Sequence, residues 1–152
     1  MNPLSGKLAD RIGFKPTMLV GMAMIIIGWG AGILVVSQHS LMGMLLCAMV
    51  IEGGNAFVMM PAVTLGANAL PDRLVAHGTA VITTVRQVLG SAGVVVATMV
   101  LANVTNRVGQ SGVSHSAASL TGFRAVFSLM VLVELVGLFL ALLLKDTKKK
   151  PN

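Results

Sequence analysis

Three ionisable side chains, Glu52, Arg86 and Glu134, lie inside strongly apolar stretches of the sequence. A charged group near the centre of a membrane-spanning helix is unfavourable by roughly 2.5–3.5 kcal/mol on insertion scales, so such a group generally faces protein or water. A carboxyl group in this setting can exchange protons, and a guanidinium can pair with a carboxylate or cap backbone carbonyls. The three residues are therefore candidates for a proton or substrate pathway. For Arg86, a purely structural pairing is the alternative.

The segment around Arg86, residues 79–97, has one small and polar side and one apolar side. At about 100° per residue, the first side carries Thr79, Thr83, Arg86, Gly90, Gly93 and Ala97, which we name the small-polar stripe, and the second carries Val81, Val88, Val95 and Met99. A helix with this pattern packs inside a larger bundle. We therefore expect Arg86 to face protein or a water-filled cavity, with Gln87 beside it. Partial snorkelling of Arg86 toward the cytoplasmic surface is an alternative.

Glu52 and Glu134 differ in the residues that share their helix faces. Glu52 shares its face with Asn55 and Met59, a mixed polar and soft lining that suits a proton-exchanging carboxyl group. Glu134 lies beside Gly137 in a less polar setting, which is a weaker basis for the same role. The candidate pathway residues are Glu52, Asn55, Arg86, Gln87 and Glu134.

Four apolar segments, at about 17–37, 41–67, 77–102 and 122–144, are long enough to cross a bilayer. Spanning a hydrocarbon core of roughly 30 Å takes about 20 helical residues. The 152-residue chain is 55% hydrophobic and only 11% charged, with a mean hydropathy of +0.88, and a soluble domain of this length needs more surface charge. The sequence therefore predicts an all-α, polytopic membrane protein with a bundle of four transmembrane helices.

The basic residues predict the orientation of this bundle in the cell membrane. Eight of the 11 Lys and Arg residues flank one side of the four segments, whereas the 103–121 connection holds only Arg107. By the positive-inside rule both termini are cytoplasmic. Residues 1–16 then form a cytoplasmic loop, 103–121 an exposed outer loop and 145–152 a basic cytoplasmic tail. Because the net charge of +6 follows membrane topology, it does not indicate nucleic-acid binding.

The remaining residues give no support for an enzyme, a metal site or a bound cofactor. His39, His77 and His115 lie in three separate connections without metal-ligand spacing or a Ser/His/Asp grouping. The 17 glycines include no phosphate-loop pattern. The spacing of four glycines instead predicts close packing between helices. Gly28 and Gly32 have small-xxx-small spacing in the first segment, and Gly90 and Gly93 lie on the small-polar stripe.

The stretch "GKLADRIGFKP" at 6–16 resembles the cytoplasmic-loop motif of the major facilitator superfamily, Gly-x-Leu-Ala-Asp-Arg-x-Gly-Arg-Lys. The matching residues are Gly6, Leu8, Ala9, Asp10, Arg11, Gly13 and Lys15, while Phe14 replaces the first basic residue of the closing pair. In that family the Asp and Arg contact helix ends at the cytoplasmic face and help to hold one conformation of the alternating-access cycle. The resemblance implies that role for Asp10 and Arg11.

A second stretch is similar to a region of the fourteen-span drug:proton antiporters. The corresponding groups, in order, are Met60-Pro61, Asn68-Ala69-Leu70-Pro71, His77-Gly78-Thr79-Ala80 and Arg86-Gln87-Val88-Leu89-Gly90. The resemblance implies that this chain corresponds to the last four helices of a much longer transporter, a part of its C-terminal bundle. The pathway of such a transporter forms between two helix bundles, so the N-terminal helices would be required partners.

Together these features predict the C-terminal part of a proton-coupled multidrug efflux transporter, inactive alone. Its energy source would be the proton gradient, with no organic cofactor, and its other partners would be the lipid bilayer and a small amphipathic or cationic substrate. One alternative is a stand-alone four-helix transporter that acts as an oligomer, similar to small multidrug-resistance pumps. Those pumps carry their intramembrane Glu in the first span, which here has no acidic residue. A membrane assembly subunit is the other alternative.

Overall fold

The computed structural model describes residues 12–38, 40–68 and 70–143. The helices are α1 (Phe14–Val35), continued by a 3-10 turn (Val36–Gln38), then α2 (Leu41–Asn68), a 3-10 turn (Asp72–Leu74), α3 (Val75–Gly109) and α4 (His115–Leu143). Four helices in this part of the chain are long and apolar enough to cross a membrane, and no strand occurs among the same residues. The predicted all-α helical membrane bundle is confirmed.

Helix α1 begins earlier than the sequence predicted, at the residues of the loop motif. Gly13 precedes the helix with φ 97°, a left-handed conformation that favours glycine. Thr17 donates both its Oγ1 (2.8 Å) and its amide (3.4 Å) to the Gly13 carbonyl oxygen, which closes the first turn. Lys15 therefore lies within the helix rather than in the loop that precedes it.

Helices α3 and α4 also extend into the connection that was expected to be a long outer loop. Of residues 103–121, only 110–114 lie between the two helices. Polar side chains in this region donate to carbonyls one turn earlier, Asn103 to Met99 at 2.8 Å and Thr121 to Ala117 at 2.9 Å. Because these bonds satisfy polar groups without breaking the helix, a region rich in Ser, Thr and Asn can remain helical. The outer loop expected at 103–121 is thus a five-residue connection.

Helices α1 and α2 pack closely against each other at glycines. A Cβ on Gly21 would lie 2.6 Å from the Gly54 carbonyl oxygen, and a Cβ on Gly54 would lie 2.6 Å from that of Gly21. Further along, a Cβ on Gly28 would lie 2.5 Å from Ile51 Cγ1 and 3.3 Å from the Cys47 carbonyl oxygen. The two antiparallel backbones touch because these positions have no side chain.

Helices α1 and α4 are linked at both ends and in between. Lys15 Nζ donates to the Leu142 carbonyl oxygen at 2.9 Å at one end, and Arg124 Nη2 donates to Ser37 Oγ at the other. Between them the Phe127 ring lies 5.3 Å from the Trp29 ring, centroid to centroid. We name the two ends of the bundle after these hydrogen bonds, the Lys15 end and the Arg124 end.

Helix α3 contacts α2 near one of its ends and α4 near the other. Near the Lys15 end a Cβ on Gly66 of α2 would lie 2.8 Å from Ile82 Cδ1, and near the Arg124 end a Cβ on Gly122 of α4 would lie 3.1 Å from the Leu101 carbonyl oxygen. No residue of α3 is buried. Each of the four helices therefore contacts two others, and an open groove lies between α2 and α3.

Candidate functional site

A cavity of about 690 Å³ lies in the groove between α2 and α3. Its lining comprises Glu52, Asn55, Val58, Met59, Ala62 and Val63 from α2, and Val81, Ile82, Val85 and Arg86 from α3. Helical geometry explains the lining, because residues three and four apart share one face. Two intramembrane charges of opposite sign and one amide thus lie in an otherwise apolar cavity.

Glu52 and Arg86 line the same cavity at different depths. Glu52 lies 16 residues before the end of α2, which is about 24 Å from the Lys15 end, and Arg86 lies 11 residues after the start of α3, which is about 16 Å from it. Both side chains are exposed, and neither has a hydrogen-bond or ion-pair partner in residues 12–38, 40–68 and 70–143. Each charge is therefore available to a proton, a ligand or a further helix.

Asn55 and Gln87 have different positions relative to this cavity. Asn55 lies one turn from Glu52 on the same face of α2 and lines the cavity, where its amide can both donate and accept hydrogen bonds. Gln87 is exposed but is not among the lining residues, since it is about 100° around α3 from Arg86. The structure thus groups Asn55, but not Gln87, with Glu52 and Arg86.

Glu134 lies on a different part of the bundle. It is half-buried on α4, one turn before Gly137, where a Cβ would lie 3.8 Å from Met22 Cε of α1. Ala141 on the same face is 3% exposed. This side of α4 packs toward α1, so the structure does not bring Glu134 into the cavity between α2 and α3.

The residues of the loop motif are described only in part. Gly6, Asp10 and Arg11 lie outside the described residues, whereas Gly13 and Lys15 begin α1. The bond from Lys15 Nζ to the Leu142 carbonyl oxygen places a cation at the C-terminal end of α4. A positive charge near the C-terminal end of a helix interacts favourably with the helix dipole. The structure thus connects part of this motif to the end of another helix.

The four glycines predicted to pack have different surroundings. A Cβ on Gly28 would meet Ile51 of α2, and a Cβ on Gly32 would lie 3.2 Å from the Phe127 ring of α4. A Cβ on Gly90 or Gly93 would meet no atom within 4 Å. The small-polar stripe of α3 therefore has no neighbour at these two positions in the described part of the chain.

The contact between Arg124 and Ser37 was not predicted from the sequence. Arg124 lies at the edge of a predicted span and Ser37 at the end of another, and nothing in their local sequence indicates that they bond. Among the described residues, no group of three or more His, Cys, Asp or Glu side chains could hold a metal ion.

The whole chain, residues 1–152, matches the family described as the Major Facilitator Superfamily. The chain belongs to the major facilitator superfamily. The superfamily predicted from the loop motif is thus confirmed, and the four apolar helices are those of a membrane protein.

Individual relatives are longer than this chain. It is 34% identical over 149 residues to the uncharacterized MFS-type transporter YcnB of Bacillus subtilis, covering 98% of this chain and 31% of that protein. It is 28% identical over 153 residues to the lincomycin resistance protein LmrB of Listeria monocytogenes, covering 97% and 32%. The chain thus spans about a third of the length of these curated relatives. No solved structure matches the chain.

Proposed function

We propose that this chain forms the last four helices of a proton-coupled drug efflux transporter of the fourteen-span type. The observation that carries the proposal is the cavity between α2 and α3, where Glu52, Asn55 and Arg86 interrupt an apolar lining. Membership of the superfamily supports a transport function, and the similarity to a lincomycin resistance protein supports a drug as the transported compound.

Glu52 is the group that couples the transported compound to protons. An ionised carboxylate in an apolar cavity attracts an organic cation, whereas the protonated form has no charge to hold it. A proton and a cationic substrate therefore compete for the same side chain, and their alternation produces exchange. Asn55, one turn away, can orient the substrate by hydrogen bonding without a change of charge.

The distribution of basic residues indicates which end of the helix bundle faces the cytoplasm. The Lys15 end of the bundle is cytoplasmic and the Arg124 end faces outward, with both termini in the cytoplasm of a cell-membrane protein. The cavity lies nearer the cytoplasmic end, from which a compound inside the cell would enter. Alternating access then requires the other helices of the transporter, since the cavity is open along one side of this chain.

A segment exchange tests the proposal. The part of Listeria LmrB that aligns with this chain is replaced by residues 1–152, and the product is expressed in a lincomycin-sensitive host. We expect resistance and lincomycin efflux that stop when a protonophore removes the proton gradient. An inserted exchange product that confers no efflux contradicts the proposal.

As a second test, residues 1–152 are expressed alone in the same lincomycin-sensitive host. We expect no efflux, because four helices do not enclose the cavity. Protonophore-sensitive efflux by these residues alone contradicts the proposal and supports the oligomeric four-helix transporter instead.

A further inference from the structure

We propose that the small-polar stripe of α3 is the docking surface for a further transmembrane helix that carries a carboxylate at the depth of Arg86. This helix belongs to the part of the transporter outside the present 152 residues, so the inference rests on the proposed function. It gives Arg86 a positioning role, whereas Glu52 and Asn55 on α2 continue to line the pathway.

Open space lies beside the middle of α3. From residue 83 to residue 97 every residue is exposed except Gly93 and Ala97, which are half-buried. This stretch covers about 21 Å along the helix axis, most of the thickness of a bilayer core. The close glycine contacts of α3 are with α2 near the Lys15 end and with α4 near the Arg124 end. The middle of α3 therefore has room for a neighbour along its length.

Two sets of glycines differ in what surrounds them. At Gly21, Gly28, Gly54 and Gly122 a Cβ would meet another helix at 2.5–2.6 Å, so the absence of a side chain permits that contact. At Gly90 and Gly93, one turn apart on the same face of α3, a Cβ would meet nothing within 4 Å. Glycine weakens a helix relative to alanine, and in the described chain no contact compensates for it. A helix seated on Gly90 and Gly93 would supply the missing contact.

Arg86 places a positive charge on the small-polar stripe. It lies on the same stripe, one turn before Gly90, and has no hydrogen-bond or ion-pair partner in the described parts of the chain. A guanidinium that faces lipid at this depth is unfavourable, and such groups pair inside the protein. A carboxylate on the docked helix supplies the complementary charge, and Arg binds carboxylates in a two-bond geometry that also sets the helix depth.

The length of the relatives and the charge of Arg86 favour a further helix of the same transporter over a second copy of the chain or lipid. The matched relatives are about three times as long as the chain, which covers 31% of YcnB and 32% of LmrB. Under the proposed function, the rest of a transporter of that length supplies the further helix. A second copy docked symmetrically through this stripe would bring two Arg86 side chains to the same depth, where like charges repel. Lipid would leave the charge unpaired.

Cross-linking tests which molecule covers the stripe. Residues 1–152 are co-expressed with the remaining part of Listeria LmrB as two separate polypeptides. A photo-reactive amino acid is placed at Gly93, and in a matched control at Val88, which is 62% exposed on the apolar side of α3. We expect the two polypeptides to co-purify and to cross-link from position 93 but not from position 88. Failure to co-purify, cross-links between two copies of the chain, or lipid adducts alone would overturn the proposal.

Charge exchange tests the predicted carboxylate. Arg86→Glu should abolish the cross-link from position 93, whereas Arg86→Lys, which keeps the charge, should retain it. Changing an intramembrane Asp or Glu of the cross-linked helix to Arg should restore the cross-link to the Arg86→Glu chain. Absence of rescue at every such position overturns the carboxylate pairing.

The two proposals can fail separately. A cross-link from position 93 without drug efflux in the exchanged transporter counts against the proposed function alone. Efflux in that transporter without any cross-link from position 93 counts against the docking surface alone.

Discussion

Lys15 Nζ donates to the main-chain carbonyl oxygen of Leu142 at 2.9 Å, across 127 positions of sequence. The bond joins the first turn of α1 to the last turn of α4. At the opposite end of the same helix pair, Arg124 donates to Ser37. Two basic side chains thus connect α1 and α4 at both ends, while the Trp29 and Phe127 rings pack between them at 5.3 Å. Helices α1 and α4, which are far apart in sequence, are thus held together along most of their length.

Lys15→Met should weaken this pair at the Lys15 end. The substitution keeps most of the side-chain volume and removes the charge, so it should lower the free energy of unfolding by about 0.3–1 kcal/mol, the range for a cation at a helix C-terminus. Denaturant unfolding in detergent measures the change. Lys15→Arg, which retains the charge, is the control, and an equal loss of stability in both variants would show that the charge is not responsible.

Gly28→Leu should destabilise the α1–α2 contact by about 1–3 kcal/mol, as overpacking of a close contact does. The reason is that even a Cβ at position 28 would lie 2.5 Å from Ile51 Cγ1 and 3.3 Å from the Cys47 carbonyl oxygen. Gly30 on the same helix is the matched control, since a Cβ there would meet nothing within 4 Å. Thermal unfolding of the two leucine variants should separate them. Similar melting temperatures would contradict the packing described for α1 and α2.

The four helices could be predicted from the sequence because length and apolarity alone select membrane-spanning segments. Their ends were less predictable. Helices α3 and α4 continue through residues rich in Ser, Thr and Asn, because side chains such as Asn103 bond to carbonyls of their own helix. Composition identifies residues that favour loops, but it does not show whether their hydrogen bonds are satisfied within a helix.

The neighbours of each helix face could not be predicted in the same way. Gly28 and Gly32 have the spacing of a helix-packing pair, yet Gly28 contacts α2 and Gly32 contacts α4. Residues four apart differ by about 40° around a helix, so a pair near the boundary between two neighbours can contact both. Gly90 and Gly93 also lie on one face of their helix, yet a Cβ at either position would meet no atom of α2 or α4 within 4 Å. Local spacing predicts that a face can pack closely, and tertiary structure decides what it packs against.

Arg86→Ala in the exchanged transporter should lower the amount of folded protein in the membrane. The physical reason is that the carboxylate paired with Arg86 would then remain buried and unpaired, which typically costs about 3–5 kcal/mol. Size-exclusion chromatography of the solubilised protein measures the folded fraction, and Gln87→Ala, at an exposed position outside the cavity lining, is the control. Normal folding of Arg86→Ala together with lost transport would instead assign Arg86 to the pathway.

Glu52→Gln in the same transporter should abolish proton-coupled efflux and leave membrane insertion intact. The amide has nearly the shape of the carboxyl group but cannot ionise, so it neither exchanges a proton nor attracts a cation at pH 7. Glu134→Gln is the matched control, because the same chemical change is made on α4 outside the α2–α3 cavity. Efflux from inverted membrane vesicles, energised by an imposed pH gradient, separates the two variants. Unchanged efflux in Glu52→Gln would remove Glu52 from the coupling mechanism, and loss of efflux in Glu134→Gln alone would move the proton site to the interface of α1 and α4.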